Sequence, residues 1–217
     1  MRGILIANGE YWNREMLKEE AGKECFIICV DGGMNFAYEL GITPNIIIGD
    51  MDSADSKIKG FYETLDIPFK LYPKEKDKTD FHLAMEEIIA HNIKEVSVYG
   101  ISGTRLDHTI GALGVMRKFL RENKVWSIKI SLGERATGYI FKEALKVQGE
   151  RGDIVSLLPL TERVIGIYTY GLKYPLEDGI LELEGSLGVS NEILESPCSI
   201  TIKEGVLLAI HYSGKVA

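Results

Sequence analysis

The chain has 217 residues, 45% hydrophobic and 26% charged, with 32 acidic against 25 basic side chains and a formal net charge of −7. At roughly 100–200 residues per domain this length allows one large domain or two small ones, and it buries enough surface to fold without disulfides or a structural metal. The composition excludes a disordered or collagen-like polymer, the acidic balance argues against nucleic acid as a partner, and the apolar runs fall far short of the roughly 20 residues that cross a bilayer.

Up to about residue 133, strand and helix patterns alternate. Ile4–Ala7 reads as a short strand stopping at Asn8-Gly9, and Trp12–Ala21 as a helix ended by Gly22. Phe26–Val30 is a second strand, on which Cys25 and Cys29 face one side as small buried hydrophobes. A short helix then runs to Leu40, and Ile46–Ile48 and Phe69–Tyr72 follow as strands. Thr79 or Asp80 can cap a helix reaching about His91, in which Phe81, Met85, Ile88 and Ile89 have helical spacing. Val96–Tyr99, a helix from about Asp107 to Glu122, and Ile128–Leu132 complete the series. Continuous apolar strands separated by helices predict a Rossmann-like parallel sheet with helices on both faces.

From Glu134 the texture changes. Ile154–Leu158, Val164–Tyr170, Ile180–Glu184, Ser199–Lys203 and Val206–His211 are short strands separated by Gly, Pro and acidic turns, with no helical pattern between them. The expectation is a small β-sandwich, giving an α/β domain over 1–133 and an all-β domain over 134–217. The N-terminus carries only Arg2 before a five-residue apolar run, too little for a signal peptide, so the expected location is the cytoplasm, with no membrane partner.

Chemistry is concentrated where strands end. In an open parallel sheet, ligands bind beyond the carboxyl ends of the strands, and four such ends carry Asp31-Gly32-Gly33, Gly49-Asp50-Met51-Asp52-Ser53, Lys76-Asp77-Lys78-Thr79-Asp80 and Gly100–His108. Asp80 and Asp107 precede helices and have an ordinary reading as N-caps; Asp31-Gly32 has one as a turn. Asp50 and Asp52 would repel each other unless something positive lies between them, and a hard divalent cation such as Mg²⁺ takes carboxylate and phosphate oxygens together. Gly100 and Gly103 let backbone N–H groups approach an anion, and Arg105 offers a planar fork of donors suited to phosphate. Together these describe a nucleotide–metal site, although both the P-loop pattern and the dinucleotide-binding glycine fingerprint are missing. His82, His91, His108 and His211 are scattered, with surface or capping readings; His108 lies within the glycine–arginine loop.

These motifs resemble the thiamine pyrophosphokinases over nearly the whole chain. The resemblance rests on the four loops above, read as Asp31-Gly32-Gly33, Gly49–Ser53, Asp77-Lys78-Thr79-Asp80-Phe81 and Gly100-x-x-Gly103-x-Arg105-x-Asp107-His108. In the β half it rests on Thr169–Leu176 and Gly188-Val189-Ser190-Asn191-Glu192. It implies transfer of an intact pyrophosphoryl group from ATP to the hydroxyl of thiamine, with Mg²⁺ and release of AMP. It further implies a homodimer whose α/β domain holds ATP and whose β-sandwich binds thiamine at the dimer interface.

On that resemblance Asp50, Asp52 and Asp77 are the metal ligands, with Asp80 and Asp107 as further catalytic acids. Arg105, Gly100, Gly103, His108, Asn8, Asp31 and Gly32 bind ATP. Tyr174 gives thiamine an aromatic face, and Ser190 and Asn191 give it polar contacts. The sequence departs from the family pattern at Thr104, where relatives often carry glycine, and at Tyr174, where many carry Trp. It also departs at Gly133-Glu134-Arg135-Ala136, where bacterial relatives show an Asp-x-x-Asn pattern. Two other readings of the same residues are a metal-dependent nucleotide phosphohydrolase and a thiamine or nucleotide sensor without turnover.

Overall fold

The computed structural model describes residues 1–214. The chain forms two compact units, one of Met1–Met116 with Ser131–Gly133, the other of Arg117–Ile130 with the chain from Glu134 onward. Among the described residues no helix is long and apolar enough to cross a membrane.

The first unit carries strands β1 (Arg2–Ile6), β2 (Cys25–Val30), β3 (Ile46–Gly49), β4 (Phe69–Leu71) and β5 (Glu95–Tyr99). Between them lie α1 (Arg14–Ala21), α2 (Gly33–Glu39), α3 (Ser56–Thr64) and α4 (Asp80–Ala90), and α5 (Leu106–Arg121) follows. The strands are parallel in the order β5-β1-β2-β3-β4. Successive strands therefore step one way from β1 to β4, and β5 returns to the opposite side of β1. Loops leaving β1 and β5 diverge at such a reversal and leave a crevice at the carboxyl edge.

Both sheet faces are buried, as the uninterrupted apolar runs require. Ile4, Ile6, Ile27, Cys29 and Ile47 share one core with Leu17 of α1, Met34, Phe36 and Ala37 of α2, and Tyr62 of α3. Cys25 packs against the same cluster, so the two cysteines share a face as their spacing predicts. The alternate residues Leu5, Ile28, Ile48 and Val98 are also fully buried, and α4 packs against β2 and β3.

Helix α3 has no counterpart in the sequence reading. Its signal is Asp55, whose Oδ1 accepts hydrogen bonds from the backbone N–H of Lys57 (2.8 Å) and Ile58 (3.3 Å), a regular N-cap. Helix α1 starts two residues later than the pattern suggests because Asn13 takes a left-handed conformation, φ 59°.

The strands of the second unit fall into two sets. In one, β9 (Ile154–Pro159), β14 (Leu207–Tyr212) and β7 (Ala136–Phe141) run antiparallel, with β12 (Asn191–Glu192) beside β9 and β6 (Ser127–Ser131) beside β7. The other is antiparallel in the order β11-β10-β13-β8, with β8 at Ala144–Val147, β10 at Arg163–Tyr170, β11 at Gly179–Glu182 and β13 at Cys198–Thr201. One buried core draws on both, including Phe141, Val155 and Leu207 from the first and Val164, Leu181 and Ile200 from the second.

A buried histidine–aspartate contact lies in this unit. His211 Nε2 stands 2.8 Å from Asp153 Oδ2, and the same carboxylate accepts N–H bonds from Glu150 (2.9 Å) and Gly214 (2.7 Å). Burial acts to raise the Asp153 pKa, but these donors outweigh it and hold the group below its ordinary value. His211 is thus a structural partner rather than the surface or capping histidine expected.

Candidate active site

Loops leaving β1 to β5 line a cleft of about 800 Å³ in the first unit. Its floor is built by close backbone approach. Ala7 N–H donates to Tyr99 O (2.9 Å), Gly9 N–H to Gly100 O (2.7 Å) and Glu10 N–H to Ser102 O (2.7 Å), extending the β1–β5 pairing beyond the strands. Gly100 has φ +71°, and a Cβ there would lie 2.5 Å from Ala7 O, so only glycine keeps the two loops this close. Gly103 differs: a Cβ would meet nothing nearer than 3.5 Å, so any demand for glycine there comes from a ligand rather than the fold.

Asp31, Asp50, Asp77 and Asp80 also line the cleft. Gly49 makes room for the first of these: a Cβ at Gly49 would fall 1.7 Å from Asp31 Oδ1. The same oxygen accepts the Asp50 N–H at 3.1 Å. The Asp31 carboxyl is pushed up to about 6, first by burial and then by the charges of Asp80 and Asp50. Asn35 on α2 fastens the following loop, donating from Nδ2 to Ser53 O (3.1 Å) and accepting the Asp55 N–H (3.1 Å). Gly32 lies outside the cleft lining; its N–H donates to Ser53 Oγ (3.0 Å), and its bare Cα leaves space for the Asn8 side chain, which does line the cleft.

Asp52 does not line the cleft beside Asp50. Its N–H donates to Asp50 Oδ1 (3.0 Å), with Met51 between them at φ 63°, and its carboxylate binds Lys74 Nζ at 2.7 Å. The positive partner that the Asp-Met-Asp pattern demands is therefore supplied by a lysine of the chain. That lysine lines the cleft.

Thr79 rather than Asp80 caps α4, its Oγ1 accepting the His82 N–H at 3.2 Å. Asp80 is left to pair with Lys76 at 3.0 Å, both side chains only 14% exposed. The other Asp80 oxygen, Oδ1, is buried with no hydrogen-bond partner, an arrangement that favours an incoming cation or donor. Lys78 makes two contacts with Glu86, at 2.7 and 2.9 Å. Asp107 stands in the first turn of α5 and accepts hydrogen bonds from Nε and Nη2 of the exposed Arg105, which hold its carboxyl down at about 2. Arg105, Asp107 and His108 all line the cleft.

The donor set is one of carboxylate oxygens, the ligands of a hard cation. Among the described residues no three His, Cys, Asp or Glu side chains form a metal cage by themselves. Mg²⁺ typically takes one or two carboxylates and completes its shell with substrate phosphates and water, so the orphaned Asp80 oxygen and its neighbours fit such an ion when a polyphosphate accompanies it. Sequence reasoning passed over Lys74, Ser102 and His82 as lining residues, although the alternating lysines at 74, 76 and 78 carried a signal.

In the second unit, Tyr174 is exposed, and Lys173 Nζ stands 5.6 Å from its ring centre. Asn191 is buried and works within the chain: Oδ1 accepts the N–H of Tyr174 (3.0 Å) and Glu192 (2.8 Å), and Nδ2 donates to Tyr174 O (2.7 Å). It positions Tyr174 instead of offering a free polar group. Ser190, with φ 62°, is exposed, and its N–H is held by Ser156 Oγ at 3.0 Å.

A parallel sheet with an acidic, glycine-floored cleft at its carboxyl edge has the ingredients of a nucleotide-dependent phosphoryl-transfer enzyme. Residues 17–128 match the family domain "Thiamin pyrophosphokinase, catalytic domain", and residues 142–207 match "Thiamin pyrophosphokinase, vitamin B1 binding domain". The chain belongs to the thiamine pyrophosphokinase family. It is 27% identical over 186 residues to thiamine pyrophosphokinase of Bacillus subtilis (strain 168), covering 84% of this chain and 85% of that one. With thiamine pyrophosphokinase 1 of Oryza sativa subsp. japonica it shares 22% identity over 223 residues, covering 92% and 80%. Its fold matches solved structures of thiamine pyrophosphokinase from Bacillus subtilis (TM-score 0.86, 22% identity, 99% of this chain and 100% of that one) and Candida albicans (TM-score 0.80, 18% identity, 98% and 89%).

Proposed function

We infer that the protein carries out the reaction of its family, moving pyrophosphate from ATP to the hydroxyl of thiamine and releasing AMP. The observation that carries this is the pairing, in one chain, of the catalytic and vitamin B1-binding domains. A phosphohydrolase has no need of the second, and a sensor has no need of five carboxylates in one cleft.

The N-terminal unit is read as a Rossmann-like domain for ATP and Mg²⁺, and the C-terminal unit as a small β-sandwich that binds thiamine and forms a homodimer; the enzyme is placed in the cytoplasm. Attack at the β-phosphorus requires charge on bridging and terminal oxygens to be neutralised, and positioning with electrostatics does most of that work. Mg²⁺ supplies this neutralisation by acting as a Lewis acid on phosphate oxygens. Asp50 and Asp77 hold it from the cleft wall, with Asp52 beside them and Asp80 offering its unpartnered oxygen. Arg105 turns its fork to phosphate, which requires partial release from Asp107. Gly100 and Gly103 let backbone N–H groups reach the anion, while Asn8, Asp31, Gly32 and His108 shape the nucleotide side. Tyr174, steadied by Asn191, gives thiamine an aromatic face, and Ser190, the chain neighbour of Asn191, adds a polar contact.

The test is to incubate the purified protein with ATP and Mg²⁺, with and without thiamine, and follow AMP. AMP formed only with thiamine is the expected result. Inorganic phosphate released without thiamine would point to the hydrolase, and thiamine binding without turnover to the sensor.

A further inference from the structure

On the reading that this cleft takes magnesium-bound ATP, we propose that Lys74 is a positioning residue that exchanges partners. It neutralises Asp52 in the ligand-free protein and turns to a phosphate of the nucleotide once a divalent cation engages Asp52. The geometry separates Lys74 from its neighbours. Lys76 is fixed on Asp80 with both side chains 14% exposed, and Lys78 is held by two contacts to Glu86. Lys74 meets Asp52 at 2.7 Å while its side chain is 78% exposed and that of Asp52 is 59% exposed.

An exposed pair of that kind weights an equilibrium by a factor of only about two to five, so it is readily broken. The lysine ammonium is a compact point charge on a flexible four-carbon stem, and this one lines the cleft whereas Asp52 does not. A backbone-to-side-chain bond holds the rest in place: the Asp52 N–H bound to Asp50 Oδ1 at 3.0 Å keeps the two acids adjacent whichever cation Asp52 carries.

The charge balance gives the exchange a purpose. Five carboxylates and four Lys and Arg side chains line the cleft together, an unwelcoming lining for a polyphosphate. A cation arriving at Asp52 frees a lysine charge for the nucleotide at the same time. Metal and nucleotide binding are then coupled, each strengthening the other.

The experiment titrates Mn²⁺ into the nucleotide-free protein and reads free Mn²⁺ by electron paramagnetic resonance. The variants are Lys74→Met, Asp52→Asn, their double variant, and Lys57→Met, which removes the same charge from the exposed first turn of α3. Removing Lys74 should tighten Mn²⁺ by about two- to fivefold; the gain should vanish in the double variant and be absent in Lys57→Met. Calorimetry at saturating Mg²⁺ should show ATP bound about fivefold more weakly by Lys74→Met. Equal Mn²⁺ affinity in the native protein and Lys74→Met, or a gain that survives in the double variant, would overturn the exchange. If thiamine-dependent AMP formation persists in the native protein, that failure touches Lys74 alone; loss of AMP formation there as well would sink the underlying reading too.

Discussion

Asp31 occupies the point where the acids of the cleft press on one another, and its behaviour with pH follows from that. Its carboxyl is raised to about 6 from an ordinary 3.8, burial being the larger cause. Between those values the folded protein binds more protons than the unfolded chain, so this group's contribution to stability declines as pH rises from about 4 to 6. Asp31→Asn keeps an oxygen for the Asp50 N–H and removes the ionisation. Relative to the native protein, the variant should gain melting temperature between pH 4 and pH 7; a constant difference across that range would refute the assignment. Asp50→Asn should lower turnover at least about 100-fold, the scale expected when transition-state charge loses a fixed partner, with thermal unfolding little changed. The acids themselves were legible in the sequence, because carboxylates at successive strand ends share one edge of a parallel sheet. The lysines that answer them were harder to see, since a mixed Lys/Asp run reads equally well as a solvated loop. The bonds of Asn191 to its own backbone were hidden for a related reason: whether an amide faces a ligand or its own backbone depends on a turn that spacing does not specify.

Among the elements, α4 decides where the cleft acids point. Thr79 caps it, which leaves Asp80 with Lys76 instead of with the helix N-terminus. Thr79→Ala should cost about 1 kcal/mol in urea unfolding and should also impair turnover, because an uncapped helix offers Asp80 a competing role. Unchanged activity at reduced stability would show that the cap and the site are independent. The parallel strands and most helices were legible because their apolar periods are long. Helix α3 was not: Gly60 lies within it and only Tyr62 is buried, so its hydrophobic period is weak and Asp55 is its main marker. Strand β7 was missed because Gly138 interrupts it, and β8 because it has only four residues with a single buried one. Their antiparallel pairing, not local preference, makes them strands.

For the molecule as a whole, the change of texture at Glu134 marked two architectures, but Arg117–Ile130 groups with the second unit. A helix shared in this way leaves no composition shift to read. The strand order was also hidden, since β5 pairs with β1 across more than ninety residues of chain, and such long-range pairing is not a local property. If the two units divide their substrates as proposed, Tyr174→Ala should raise the KM for thiamine while leaving ATP affinity nearly intact, and Asn191→Ala should mimic it. Equal losses for both substrates would undo that division. The backbone bonds joining Gly9 to Gly100 and Glu10 to Ser102 carry one last implication. They stitch two loops into a single stiff shelf, so adaptation to an incoming guest falls to the lysine stretch of the lining, led by the exposed Lys74. Deuterium uptake should register that contrast, with slow exchange at the Gly9 and Glu10 amides and fast exchange in the lysine stretch until the guest arrives.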